Sequence, residues 1–568
     1  MRSPAIEFIG FSFQYRAQSE PTLHDIHLTL HQGEKVLIVG PSGSGKSTLG
    51  HCINGLAPFF YPGETKGILR IMGEERKNVG IARASEQVGT VLQDPDGQFV
   101  GLTVGEDIAF RLENDAEPLD AMRIRVKEAA RAVGLEDRLD ASPHALSGGQ
   151  KQRTTLAGVL VSDVDILLFD EPLANLDPAA GKAAIERIDQ LHRETGKTVL
   201  IIEHRLEEVL HRPVDRIIVM DNGQILADQP ASKLLSSSLL AQTGLREPLY
   251  LTALKYAGCR IETEMNPQHI QTIDLVTCTG KLQAWHDGWR ATQPVPQRPP
   301  LLELQELSFS YEKGAPVLHD LSFAIGKGEM LSIVGKNGAG KSTLSRLICG
   351  FYRPGGGRIL YEGRDMRGDT IKERAERIGF VMQNPNHMIS KVGVFEEVAL
   401  GLKTRGVAEE EIRDRVHAVL RVCGLYEYRN WPISALSFGQ KKRVTIAAIL
   451  VLNPEVIILD EPTAGQDFRH YNEMMEFLRG LNESGITVIM ITHDMHLMLE
   501  YAERTVVLAD GRLLADDHPA SLLTREEVVE ATGLKTTSVH ELARRAGICE
   551  PQAFVRHFIE HDREVRRR

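Results

Sequence analysis

Apolar positions along this 568-residue chain fall into short blocks, and the series of blocks occurs twice. Each half opens on a β-patterned stretch that closes on an aromatic, IEFIGFSFQY at Tyr15 and LLELQELSFSY at Tyr311. An apolar strand follows in each half, at 34–39 and at 329–334. Each strand runs through a glycine-rich turn into a helix expected to begin near Lys46 and Lys341. Farther on, VDILLFDEP and PEVIILDEP are continuous apolar runs, the pattern of strands buried on both faces of a parallel sheet. TVLIIEH and TVIMITH repeat that pattern. Between the glycine-rich turn and the first of these later strands, LSGGQKQR at 146–153 and LSFGQKKR at 436–443 each head a segment with helical apolar spacing. Strands alternating with helices predict an α/β fold with a mixed or parallel β core, present in two tandem copies.

Subtraction along the chain supports duplication. Gln93 and Gln383, Asp170 and Asp460, and Asp177 and Asp467 are each 290 positions apart (for example 460 − 170), whereas Lys46 and Lys341 are 295 apart (341 − 46). The difference places five extra residues in the first copy within LAPFFYPGETK, 56–66, which reads as a longer surface loop. The expected division is a first domain at 1–235, an appendage at 236–287, a proline-rich linker at 288–300, a second domain at 301–519 and a helical appendage at 520–568. TGLREPLYLTALKYAG at 243–258 aligns without gaps on TGLKTTSVHELARRAG at 532–547. That duplication favours a structural helical cap over a DNA-reading helix-turn-helix, and the closing EVRRR reads as a solvated tail.

A net charge of −11 speaks against a broad nucleic-acid surface. No apolar run approaches the roughly 18 residues a membrane helix needs, and the start lacks a secretory core, so a cytoplasmic location is expected. The six cysteines show no C-x-x-C spacing and read as buried reduced thiols.

The glycine-rich turns carry the chemistry. Gly40, Pro41, Ser42, Gly43, Ser44, Gly45, Lys46, Ser47 and Thr48 in the first copy correspond to Gly335, Lys336, Asn337, Gly338, Ala339, Gly340, Lys341, Ser342 and Thr343 in the second. Both have the spacing of a phosphate-binding loop, in which backbone N–H groups and the helix N-terminus face phosphate oxygens. Lys46 and Lys341 would bridge the β and γ phosphates, Ser47 and Ser342 would offer Mg2+ an oxygen, and Thr48 and Thr343 would add a hydroxyl near the α-phosphate. Asp170 and Asp460 would hold Mg2+ through water, and Glu171 and Glu461 would orient the water attacking the γ-phosphoryl group. Tyr15 and Tyr311, which lie at similar distances before the loop lysines, read as rings stacking on adenine.

With the signature segments this set resembles the ATP-binding cassette ATPases over nearly the whole of both halves. The resemblance implies two tandem P-loop ATP-binding cassette domains, each with a helical signature subdomain, hydrolysing ATP with Mg2+. It implies that Gln93 and Gln383 reach nucleotide and metal, and that His204 and His493 contact the γ-phosphate. It further implies that each phosphate loop meets the other half's signature, Ser437, Gly439 and Gln440 for the first and Ser147, Gly148, Gly149 and Gln150 for the second. Phe438 departs from the usual glycine of that signature. QDPDGQFVGLTVGEDIAFRLEN at 93–114 and QNPNHMISKVGVFEEVALGL at 383–402 look like the regions by which energy-coupling-factor importer ATPases grip their membrane partners. The tandem ATPases of that family assigned to hydroxymethylpyrimidine and thiamine uptake are the most similar. The partners implied are an integral membrane coupling protein and a substrate-capture membrane protein, with the chain peripheral on the cytoplasmic face of the membrane. Alternatives are a soluble tandem cassette ATPase acting on ribosomes or DNA, and a tandem sugar-importer ATPase.

Overall fold

Five of five residues in each of the strands Lys35–Val39, Ile166–Asp170 and Thr198–Ile202 are buried, the mark of a parallel sheet covered on both faces. The computed structural model describes residues 2–92, 97–146, 148–174, 176–289, 298–311, 314, 316–464, 466–532, 534 and 536–567. It divides into two units, Met1–Ala284 with Asp467–Arg469, and Trp285–Gln466 with His470–Arg568.

The first unit holds a six-stranded sheet in the order Gln224–Gln229, Arg216–Asp221, Lys35–Val39, Thr198–Ile202, Ile166–Asp170, Val88–Val91. Its neighbours pair in parallel, except for the antiparallel edge hairpin made by the first two strands. Asn222 and Gly223 close that hairpin with φ of 45° and 74°, the backbone a tight two-residue turn demands. A four-stranded antiparallel sheet, in the order Leu23–His31, Pro4–Tyr15, Gly63–Ile71, Glu74–Glu75, lies beside it. Phe8, Phe13, Leu23 and Ile26 of this smaller sheet share one core with Val36, Leu49, Ile53, Leu168 and Ile202. Fully burying each such side chain contributes about 1.5–3 kcal/mol, which fixes the two sheets against the helix between them.

The second unit repeats this plan. Its larger sheet runs Ile378–Val381, Val456–Asp460, Thr487–Ile491, Met330–Val334, Arg504–Ala509, Arg512–Asp517, with the last pair antiparallel. Its smaller sheet runs Pro316–Gly326, Pro300–Ser310, Gly356–Tyr361, Arg364–Asp365.

Three expectations need correction. Residues 56–66 are not all loop: a short helix, Leu56–Phe59, is followed by the strand Gly63–Ile71, which pairs with Pro4–Tyr15. Phe59 at the helix end and Phe60 and Tyr61 after it stay exposed. Five cysteines are buried free thiols, but Cys549 is exposed. The closing EVRRR is only in part a solvated tail: it ends the helix Pro551–Arg567, with Glu564 and Val565 exposed but Arg566 ion-paired. Arg566 pairs with the buried carboxylate of Glu500 at 3.1 Å and with Asp562 at 2.8 Å, while Arg563 donates to the Leu499 carbonyl at 3.1 Å. A buried Glu500 needs a cation, and the terminal helix supplies it. The aligned appendage segments each carry an eight-residue helix, Leu249–Tyr256 and Ser538–Arg545. Of the linker, 290–297 lie outside the described residues.

Candidate functional site

The strand Lys35–Val39 has Thr198–Ile202 on one side and Arg216–Asp221 on the other, so its carboxyl end opens at a topological switch point. The chain leaves it through Gly40, where a Cβ would come within 2.3 Å of the Met220 carbonyl oxygen. Gly335 is equally crowded, at 2.2 Å from the Leu508 carbonyl oxygen. Gly45 and Gly340, with φ of 93° and 96°, then turn the chain into the helices Lys46–Asn54 and Lys341–Ile348. Lysine and serine therefore stand in the first helical turn, where backbone N–H groups have no intrahelical partner. The Lys46 ammonium is buried and donates to the Gly40 and Pro41 carbonyls, each at 2.8 Å. Lys341 donates to Gly335 at 2.7 Å and Lys336 at 3.0 Å. Burial lowers the Lys46 pKa, with Glu171 opposing.

The predicted aromatics sit beside these loops. The Tyr15 hydroxyl is 3.1 Å from Thr48 Oγ1 and the Tyr311 hydroxyl 2.9 Å from Thr343 Oγ1. Each ring also meets a strand phenylalanine edge-on, Phe13 at 4.8 Å and Phe309 at 5.0 Å.

In-register pairing of Asp170 with Ile202 and of Asp460 with Ile491 brings the acidic strand ends level with the histidine-bearing strands. At the next residue the backbone turns sharply, since Glu171 and Glu461 have φ of 51° and 46°. A non-glycine residue held there stores about 1–3 kcal/mol of strain, a feature that concentrates at functional sites. Both turns are tied down by backbone bonds of 2.9 Å, Glu171 N–H to Ile202 O and Glu461 N–H to Ile491 O. The carboxylates then meet the histidines, Glu171 Oε1 with His204 Nε2 at 3.3 Å and Glu461 Oε1 with His493 Nδ1 at 2.7 Å. Burial works to raise the Glu171 pKa, but His204 outweighs it and the carboxyl is held below its usual range. His204 is raised: burial opposes protonation, and the carboxylates of Glu171 and Glu203 overcome it. Burial, with Glu171 beside it, pushes Asp170 up to about 6, and burial with Glu461 raises Asp460 as well.

Ser437 caps the helix Phe438–Leu450: its Oγ accepts from Gln440 N–H at 3.2 Å, and Gln440 Oε1 accepts from Ser437 N–H at 3.0 Å. Gly439 lies between them, and the departing residue Phe438 is 42% exposed. Gly148, Gly149 and Gln150 open the helix Gly148–Leu160, while Ser147 lies outside the described residues, as does Gln93. Gln383 follows the strand Ile378–Val381 by two residues.

Two side chains beside the site escaped the sequence reading. Glu203, 1% exposed, accepts backbone N–H bonds from Leu173 at 3.0 Å, His204 at 2.8 Å and Arg205 at 3.1 Å. Lys442, also 1% exposed, donates to the Met382 and Gln383 carbonyls, and burial lowers its pKa to about 8 against the pull of Asp460 and Glu461. The signal for both was present in the alignment of the halves, where Glu203 stands opposite Thr492 and Lys442 opposite Gln152.

Comparison with known proteins bears on this arrangement. Residues 23–174 and 318–464 match the family model described as ABC transporter, and 237–309 match one described as ATP-binding cassette cobalt transporter. A putative ABC transporter ATP-binding protein of Clostridium perfringens is 56% identical over 565 residues, covering 100% of both chains. One of Enterococcus faecalis is 55% identical over 567 residues, again 100% of each, and one of Vibrio parahaemolyticus is 53% identical over 562 residues, 99% of this chain and 97% of that one. A solved structure of cbiO1 from Clostridium perfringens, titled as part of the ABC transporter complex cbiONQ, is 34% identical and covers 44% of this chain and 100% of that one. Its TM-score of 0.39 is too low to bear on the arrangement of this fold.

Proposed function

We propose that this chain, which belongs to the ABC transporter family as one of its ATPases, is the ATP-hydrolysing subunit of a membrane importer of the energy-coupling-factor type. In each cassette the loop lysine, Lys46 or Lys341, would bind the β and γ phosphates. Glu171 or Glu461 would orient the attacking water, with His204 or His493 at the γ-phosphate. The site's oxygen donors suit Mg2+, a hard cation that takes carboxylate and hydroxyl ligands with water. Asp170 Oδ1 is buried and accepts no hydrogen bond among the described residues, and the Ser342 hydroxyl lies 3.4 Å from Asp460 Oδ2. Ser47 with Asp170, and Ser342 with Asp460 and Gln383, would hold the ion, and Gln93 would be the first cassette's counterpart of Gln383. Held there, the ion would supply positive charge against the phosphates.

One observation carries the importer reading. Leu102 and Val392, 290 positions apart (392 − 102), are 82% and 81% exposed, and Val100 is 62% exposed. Large apolar side chains held in water at matching places just after both glutamine positions mark an interaction surface. Its proposed occupants are the coupling helices of an integral membrane protein, which would join a substrate-capture membrane protein. Among the described residues no helix is long and apolar enough to cross a membrane, so attachment to the cytoplasmic face would run through these partners. ATP-driven closure of the two cassettes would then move the partner. No nucleic-acid partner is proposed, in keeping with the net charge of −11.

For cargo we propose a vitamin-type molecule of the hydroxymethylpyrimidine or thiamine class, supported by the QNPN and MISK motifs and the aromatic-substituted signature. A second reading, cobalt, is favoured by the description of the model matched at 237–309. The test is affinity capture of the tagged chain from detergent-solubilised native membranes, with extraction of any bound small molecule or metal. Recovery of a coupling protein and a small capture protein is expected, and the extracted species separates the two cargos. Joint replacement Leu102→Asp and Val392→Asp should abolish recovery. Ribosomes or DNA-repair factors without any membrane protein would overturn the importer reading.

A further inference from the structure

Lys442 sits inside the second cassette at the meeting of three segments. Its Nζ donates to the carbonyls of Met382 at 2.7 Å, Gln383 at 2.8 Å and Asp460 at 3.4 Å. Met382 and Gln383 begin the glutamine loop, Asp460 ends the acidic strand, and Lys442 itself belongs to the signature helix Phe438–Leu450. Taking an ammonium out of water is costly, and here the compensation comes from backbone carbonyls, with the charges of Asp460 and Glu461 also attracting it. An ammonium has three N–H donors, and three acceptors surround this one. Moving any one of the three segments alone would strip a buried charged donor of a partner, which is unfavourable. The first cassette is built otherwise: its aligned residue is Gln152, an uncharged amide that donates to the Pro172 carbonyl.

We propose that Lys442 is a positioning residue that locks the start of the glutamine loop to the acidic strand of the second cassette, so that nucleotide occupancy at Lys341 is felt at residues 382–390. In the first cassette no ammonium stands at this place, and Gln152 donates instead to the Pro172 carbonyl. Coupling of this kind needs only nucleotide binding, not a membrane partner, so it stands or falls apart from the importer reading.

The experiment is hydrogen–deuterium exchange on the full chain with and without a non-hydrolysable ATP analogue and Mg2+. It compares the unaltered protein with Lys442→Met and Lys442→Arg. In the unaltered chain the analogue should slow exchange at both 335–343 and 382–390. Lys442→Met should keep the protection at 335–343 while the response at 382–390 falls at least about fivefold. Lys442→Arg should restore it, because guanidinium still donates to several carbonyls. Four results would overturn the proposal: no nucleotide response at 382–390 in the unaltered chain, a full response in Lys442→Met, no recovery in Lys442→Arg, or exchange rising throughout the second cassette as from a lost structural prop. Should Lys442→Met fail to fold, Lys442→Gln, which installs the first cassette's residue, serves in its place with the same expected outcomes.

Discussion

In the second cassette Glu461 is held at both oxygens, by His493 Nδ1 at 2.7 Å and by the Thr492 hydroxyl at 3.2 Å. In the first, Glu171 meets His204 Nε2 at 3.3 Å, and the place of Thr492 is taken by a second buried carboxylate, Glu203. Thr492 thus grips the side chain of the glutamate, whereas Glu203 grips backbone, accepting from Leu173, His204 and Arg205. The proposed reacting groups, glutamate and histidine, recur in both copies, while the groups around them differ. One cassette fixes its carboxylate directly. The other fixes the loops on either side and surrounds its histidine with negative charge. The two centres are therefore expected to respond differently to the same perturbation.

Removing the carboxylates is the most severe way to break the comparison. Glu171→Gln with Glu461→Gln should lower steady-state phosphate release by about 10²–10⁴ while ATP remains bound, measured by filter retention beside turnover. Unchanged turnover in the double variant would sink the water-orienting role. The single variants sharpen the contrast by reading how hydrolysis divides between Glu171 and Glu461. Next in size, Lys46→Ala and Lys341→Ala should each weaken ATP binding at one site. The loss of charge-assisted bonds worth about 1.5–3 kcal/mol corresponds to roughly 10- to 150-fold in Kd, readable by titration with a fluorescent nucleotide.

Smaller effects come from the supports. Glu203→Ala leaves one buried and two part-buried backbone N–H groups without this acceptor and should destabilise the chain by about 1–3 kcal/mol in urea melts, while Thr492→Ala should cost about 0.5–1.5 kcal/mol. Equal losses for the two would remove the distinction drawn between backbone and side-chain support.

The sequence made the frame legible because the frame obeys spacing. Continuous apolar runs become the buried strands Ile166–Asp170 and Val456–Asp460, and a lysine six places after the first loop glycine starts a helix in both copies. The supports obey no such rule. A glutamate with φ near +50° is not announced by its residue type, and Glu203 looks like one more acid after an apolar strand until its three backbone donors are seen. Lys442 hides in a basic run, KKR, that reads as surface. Burial of charge depends on what arrives from distant parts of the chain, as Arg566 arriving at Glu500 also illustrates. Local pattern carries no record of such partners.

The subtlest prediction concerns pH. His204 is raised above its ordinary 6.5 by Glu171 and Glu203 despite its burial, and Glu171 is lowered below its ordinary 4.5 by His204. A histidine whose folded pKa is raised stabilises the fold fully below its unfolded pKa, and that contribution fades as pH rises through the folded value. A carboxylate whose folded pKa is lowered contributes above its unfolded pKa and loses that contribution as pH falls through the folded value. The pair therefore supports the first cassette most between about pH 4.5 and 6.5 and progressively less as His204 deprotonates. Glu171→Gln removes the charge that raises His204, so the loss of stability relative to the unaltered chain should be larger at pH 6 than at pH 8.5, by a few degrees in Tm at most. The Glu203→Gln variant, which keeps one acceptor oxygen but not the charge, should shift the same pH dependence to lower pH in the same sense. A loss that is independent of pH in both variants would mean that the His204 ring is neutral in the fold.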